Sequence, residues 1–226
     1  MAVPYRIMEQ LGTRSAPQER RTYRSARRQQ QAAQTRARIC AAASGQFLAA
    51  GYAGTTVKAV ATAAGVSVPT VEAAFGTKAR LLKAAIDVAT AGDDAPVAML
   101  DRAWAVRAEA APDPEGFVTE FAAALTASAG RAAGLILAAL DAAPLDEEIG
   151  AVATQMAAQR EVMAAWLVDG LGRRGSLRAG LDRAEAVDTV WLLMDPVVFT
   201  RLTGPRGWPP ARFRVWFAAS VLRLLA

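Results

Sequence analysis

The sequence predicts an all-α protein: an N-terminal helix-turn-helix head on a larger C-terminal helical domain, about nine helices in all. Three observations carry this. First, alanine is abundant and β-branched runs are rare, in a chain of 226 residues that is 53% hydrophobic and 21% charged, so helix is favoured throughout. Second, glycine and proline act as punctuation between apolar segments of helical period, and no period-two alternation is long enough to make a strand. Third, residues 59–75 read AVATAAGVSVPTVEAAF, with Gly65 and Pro69 set between two short apolar stretches. A helix that stops and restarts within so few residues is a tight corner between two helices.

Taken in order, residues 1–17 show no period and contain Pro4, Gly12 and Pro17, so no regular structure is expected there. From Gln18 to Ala50 only Gly45 disfavours helix; Ile39, Ala43 and Phe47 recur at four-residue spacing, and Gly51 supplies a stop. Thr55 and Thr56 can cap a helix from Val57 to Ala64, with Val57, Val60, Ala61 and Ala64 on one face. Gly65 provides the left-handed turn, and Val66 fills the angle. Ser67 caps the next helix, and Pro69 falls in its first turn, where a missing N–H costs little. Val71 and Phe75 point back at the preceding helix, Gly76 ends the second, and Thr77 caps a longer helix to about Thr90. Helices of eight residues are unstable alone and need long neighbours.

GDDAP, after Ala91, marks a domain boundary. The chain therefore divides into a basic arm (1–31), a head (32–92) and a helical domain (93–226), the last with helices near 95–111, 114–129, 131–143, 145–173, 182–202 and 209–225. The breaks read APDPEG, SAG, AAP, GRRGSLRAG and TGPRGWPP.

The formal net charge of +5 is uneven: residues 1–40 hold nine arginines against Glu9 and Glu19, while the other 186 residues hold 17 basic and 19 acidic side chains. A basic arm on a near-neutral body fits a polyanion partner. The single cysteine, Cys40, excludes an internal disulfide, and a charged-then-apolar leader is not evident, so a cytoplasmic protein is expected. The apolar stretch Phe121–Leu140 carries Arg131 at its centre, which suits one or two buried helices better than a membrane span. With no histidine, Ser–His and Cys–His catalysis and most zinc sites are excluded; no catalytic residue, metal or cofactor is expected. Asp146, Glu147 and Glu148 follow Pro144 closely and read as the acidic first turn of a helix.

Residues 55–82, TTVKAVATAAGVSVPTVEAAFGTKARLL, resemble the head of tetracycline-repressor-type (TetR) regulators. The points of resemblance are the threonine pair, Val-Ala, Ala-Gly-Val-Ser, Thr-Val, the phenylalanine, and the lysine two residues after Gly76. FLAAGYAG at the end of the first helix and residues 184–226 are similar to the family as well. The resemblance implies a homodimeric, ligand-responsive repressor that binds a near-palindromic operator in double-stranded DNA. Ser67, Val68, Pro69, Thr70 and Ala73 would enter a major groove, and Thr55, Thr56 and Lys78 would meet phosphates, with Arg36 and Arg38 as further candidates. Glu72 and Ala74 depart from the family, which usually has an aromatic at the first position and often tyrosine or histidine at the second. A carboxylate at 72 is repelled by phosphate but can accept from a cytosine amino group.

The C-terminal domain would take an uncharged or weakly polar organic effector. Trp104, Phe117, Phe121, Met156, Met163, Trp166, Trp191 and Met194 are its candidate lining, although core is the favoured reading for each one taken alone. Arg131, Asp141 and Glu120 are possible polar handles. The last two helices would pair with their twins through Val190, Leu193, Val197, Phe217, Val221 and Leu224, where an internal core is the competing reading. A second class remains open: a helical small-molecule-binding or protein-interaction module with weakened DNA reading, motivated by Glu72 and Ala74. Arg20, Arg21, Arg24, Arg27 and Arg28, ahead of the family-like start, could track a DNA backbone.

Overall fold

The computed structural model describes residues 17–226, with side chains from Arg27 onward. Residues 1–16 of the stretch expected to lack regular structure lie outside the described residues, as do the side chains of Arg20, Arg21 and Arg24. The chain separates into two compact units, one ending at Ala37 and one spanning Arg38–Ala226. The described part of the first is helical and belongs to α1 (Pro17–Gly54). All other elements lie in the second.

These are α2 (Val57–Ala64), α3 (Val68–Phe75), α4 (Lys78–Ala91), a 3-10 turn at Met99–Asp101, α5 (Ala103–Glu109), α6 (Pro114–Ala142), α7 (Glu147–Arg173), α8 (Arg183–Leu193), α9 (Pro196–Thr203) and α10 (Pro210–Leu225). The described residues are all-helical, with no strand. The stop expected at Gly51 is a break inside α1: φ 67° and ψ −179° leave the helical region and suit glycine.

Three expected boundaries move. SAG at 128–130 does not end a helix; α6 runs through it. An interior glycine costs about 1 kcal/mol, and the burial of Ala132, Ala133 and Leu135 just beyond outweighs that. Residues 182–202 form two helices, because Asp195 accepts from Val197 N–H and Pro196 takes the first position of α9. The expected 95–111 helix shrinks to the 3-10 turn and the short α5.

Two hydrophobic clusters form. The first gathers Ile39, Ala43 and Phe47 of α1, Val60 and Ala64 of α2, Val71 and Phe75 of α3, and Leu81, Leu82 and Ile86 of α4. It also takes Leu135 and Ala139 from α6 and Ile149 from α7. The second is aromatic, centred on Phe117, Phe121, Phe213 and Phe217. Helix α6 packs against α4, α5, α7, α9 and α10 and so contributes to both. Among the described residues it is the one helix long and apolar enough to cross a membrane by length and composition.

Candidate nucleic-acid interface

The corner between α2 and α3 is fixed by backbone chemistry. Thr56 accepts from Ala59 N–H at 3.1 Å and caps α2. Gly65 adopts φ 64°, ψ 40°, and its N–H bonds back to α2 carbonyls while Val66 N–H reaches Ala61 O. Ser67 Oγ accepts from Thr70 N–H and lies 2.8 Å from Thr70 Oγ1. Val71 and Phe75 are buried against the first cluster, which decides how α3 is turned. Ser67, Pro69, Thr70, Glu72 and Ala73 are thereby left exposed, and Val68 is half-buried against the core. This exposed strip offers two hydroxyls, one carboxylate and apolar surface, and it carries no cation.

Thr55 and Lys78 sit differently from expectation. Thr55 is 1% exposed, and its hydroxyl donates toward Gln46 O and Gly51 O at 3.0 and 2.7 Å. Its side chain closes the end of α1 and is not presented outward. Lys78 is turned inward as well: its ammonium donates to Tyr52 O and Thr55 O and lies 4.1 Å above the Tyr52 ring. Thr56 and Arg38 are exposed, as is Lys58 on α2; Arg36, also exposed, belongs to the other unit.

The platform beneath is tied to α6 and α7 by groups that sequence reasoning missed. Tyr52 donates its hydroxyl hydrogen to Asp146 at 2.8 Å, and Asp146 also caps α7 by accepting from Ile149 N–H. Burial, and then Asp146 as an acceptor, push the Tyr52 hydroxyl well above its ordinary pKa. The Ile149 N–H and then the Tyr52 hydroxyl hold the Asp146 carboxyl below the usual carboxylate range. Thr77 donates to Glu148, and Arg80 pairs with the same carboxylate at 3.3 Å. At the far end of α4, Arg131 donates to Ala89 O and Thr90 O. Asp146 and Glu148 read in sequence as dipole partners of their own helix, and Asp146 does cap it; nothing local signals a partner 94 residues away.

Residues 39–85 match the family model for bacterial regulatory proteins of the tetR family. The chain is also similar to solved structures. One is a protein from Rhodococcus sp. assigned to the TetR-family transcriptional regulators (TM-score 0.64, 18% identity, covering 85% of this chain and 98% of that one). Another is the transcriptional regulator FadR from Bacillus subtilis in complex with stearoyl-CoA (TM-score 0.62, 17% identity, 83% and 95% covered). A third, from Saccharomonospora viridis, is assigned as a transcriptional regulator and is in complex with choline (TM-score 0.63, 16% identity, 85% and 97% covered). No curated protein matches the sequence. The chain carries a TetR-family head on a TetR-type fold.

The C-terminal candidates divide. Trp104, Phe117, Phe121 and Trp166 form one aromatic group with ring centroids 5.0–6.0 Å apart. Met163, Trp191 and Met194 pack against the same cluster, whereas Met156 packs against the first cluster and stands apart from them. Trp104 Nε1 is buried without a hydrogen-bond partner, whereas Trp191 Nε1 donates to Ala157 O. Arg160 stacks on Trp191 at 3.8 Å and pairs with Asp195 at 2.8 Å. Of the polar handles, Arg131 is engaged with α4, Glu120 accepts from Arg107, and Asp141 is exposed.

The candidate seam also divides. Val190, Phe217 and Val221 are fully buried inside the protomer, because α8 and α10 turn these faces toward α6 and α7. They cannot touch a second copy. Leu193 and Val197 are half-buried, and Leu224 is 46% exposed. The same helices leave Leu192 and Val215 at 60% and 65% exposed, residues that the sequence reading passed over.

Proposed function

We propose that this chain is a homodimeric transcriptional repressor that reads a near-palindromic operator in double-stranded DNA and responds to a small organic effector. The observation that carries the reading is α3: its apolar face is fixed in the head while Ser67, Pro69, Thr70, Glu72 and Ala73 face outward together. That is the geometry of a helix laid into a major groove. Thr70 bonds a base edge or a phosphate, Pro69 and Ala73 meet thymine methyls, and Glu72 accepts from a cytosine amino group. Thr56, Arg38 and Lys58 contact phosphates. The head, 32–92, does the reading, and 93–226 binds effector and partner copy. The setting is the bacterial cytoplasm, and no catalysis is involved.

The effector is uncharged or weakly polar, held among Trp104, Trp166, Met163 and Met194, with the indole N–H of Trp104 as the donor it meets. Two structural neighbours are bound to organic ligands, stearoyl-CoA and choline, which supports a ligand-responsive body. The second copy packs on the outer faces of α8 and α10 through Leu192, Val215 and Leu224. The ties of α4 to Arg131 and Glu148 carry the body's state to the head.

The test is binding of the purified protein to its own upstream intergenic DNA against a scrambled duplex. Selective binding with a footprint in two half-sites about one helical turn apart is expected. Effector binding with no duplex preference would favour the competing reading, a small-molecule-binding module whose DNA surface has weakened. The outward carboxylate of Glu72 is what motivates that alternative.

A further inference from the structure

Residues 17–37 carry Arg20, Arg21, Arg24, Arg27, Arg28 and Arg36 against one acid, Glu19. Their net charge of +5 equals that of the whole chain, so the remaining residues sum to zero. The stretch is helical from Pro17. Positions 20, 24, 27 and 28 recur at i, i+4, i+7 and i+8, one helical face, with 21 beside it. From 20 to 36 a helix rises about 24 Å. Like charges three and four residues apart discourage a helix by a few tenths of a kcal/mol per pair, so this one gains from a neighbouring polyanion.

The composition of the stretch offers little to a core. It contains no Leu, Ile, Val, Met, Phe or Trp, and Tyr23 is its one large apolar residue. The same fact argues against a membrane surface, which needs an apolar helix face as well as a basic one. Residues 38–92, meanwhile, are short of cations for phosphate. Of the five in residues 38–92, Lys78 is bound to carbonyls, Arg80 to Glu148 and Lys83 to Asp87. Arg38 and Lys58 remain, and α3 itself contributes a carboxylate.

We infer that residues 17–37 are a second DNA-binding element, a basic helix that takes the phosphate backbone of duplex DNA and supplies sequence-independent affinity the reading helix lacks. The inference rests on the DNA-binding reading above. Its test compares the full chain with a full-length variant carrying Arg20→Gln, Arg21→Gln, Arg24→Gln, Arg27→Gln and Arg28→Gln together. Glutamine has nearly the helix propensity of arginine, and circular dichroism confirms an unchanged melt.

Fluorescence anisotropy across a salt series, on operator and scrambled duplexes, then reads the slope of log K against log salt. The expected slope is shallower by about 3–5 per protomer, with affinity near 0.1 M salt lowered on the order of 100- to 1,000-fold. Both duplexes lose equally, so their ratio holds. Selective binding by the full chain with an unchanged slope in the variant overturns the arm and leaves the operator reading standing. Loss confined to the operator also overturns it, by making the arginines sequence readers. Loss of binding to anionic vesicles with DNA binding intact overturns it in favour of a membrane partner. A full chain that binds no duplex at low salt overturns both readings together.

Discussion

The two hydrophobic clusters are built on different plans. The first is made largely of Ala, Val, Leu and Ile, with one stacked ring pair, Phe47 and Tyr52, at 6.1 Å. The second is made of interlocked rings, among them Phe121–Phe217 at 6.0 Å and Phe199–Phe213 at 5.0 Å. Small side chains let the short α2 and α3 sit close, but they bury little area each, so caps and turns must fix the angles. Ring shapes fix the body instead, and there the backbone must make room. The head is specified by hydrogen bonds at helix ends, the body by volume.

The contrast can be broken most severely by cutting the chain. A fragment of residues 38–92 loses Leu135, Ala139 and Ile149, all fully buried in the first cluster. We expect it to be largely unfolded by circular dichroism; a cooperative melt would show the head to be self-sufficient. Next is Gly170→Ala in α7. A Cβ there would overlap the Phe117 ring, and overpacking of this kind costs about 1–3 kcal/mol. Its foil is Gly130→Ala in α6, where a Cβ meets nothing within 4 Å. That substitution should stabilise by roughly 0.5–1 kcal/mol. Chemical denaturation of both variants measures the difference, and equal effects would refute a volume-specified body.

A smaller effect tests the other half of the contrast. Ser67→Ala removes the cap of α3 and should cost about 1 kcal/mol, together with operator affinity if α3 reads DNA. The smallest is titration of the tie at Asp146. Its folded carboxyl is lowered, so the stabilisation is present above the ordinary carboxylate pKa and is lost as pH falls through the lowered value. Tyr52 is raised, so its share is complete below the ordinary tyrosine pKa and is lost above it. Asp146→Asn should flatten the acid limb of a melting-temperature profile; an unaltered limb would show the tie to be neutral.

Much of the head was legible from sequence because its signals are local. Thr56, Gly65, Ser67 and Thr77 each act within four residues of themselves, and the structure finds each cap and turn at the expected place. Asp195–Pro196 was an equally local signal, a cap followed by proline at the first helical position, that the sequence reading did not use. What was not legible is which side of an apolar helix faces inward when every side is apolar. Val190, Phe217 and Val221 have the spacing of a seam and the burial of a core, and only the packing of α6 and α7 decides between them. The inward partners of Lys78 were not legible for a related reason: the Tyr52 ring and two carbonyls engage it across 23 residues or more.

The helix beneath the reading surface is pinned at both ends, by Glu148 of α7 at its start and by Arg131 of α6 at its finish. A strut with two pins on two separate beams cannot pivot about either one alone. Common motion of α6 and α7 would move both ends of α4 together, whereas sliding of one along the other would load the two ends unequally. The mounting thus makes relative displacement of its two supports the motion to which the tilt of α4 would respond.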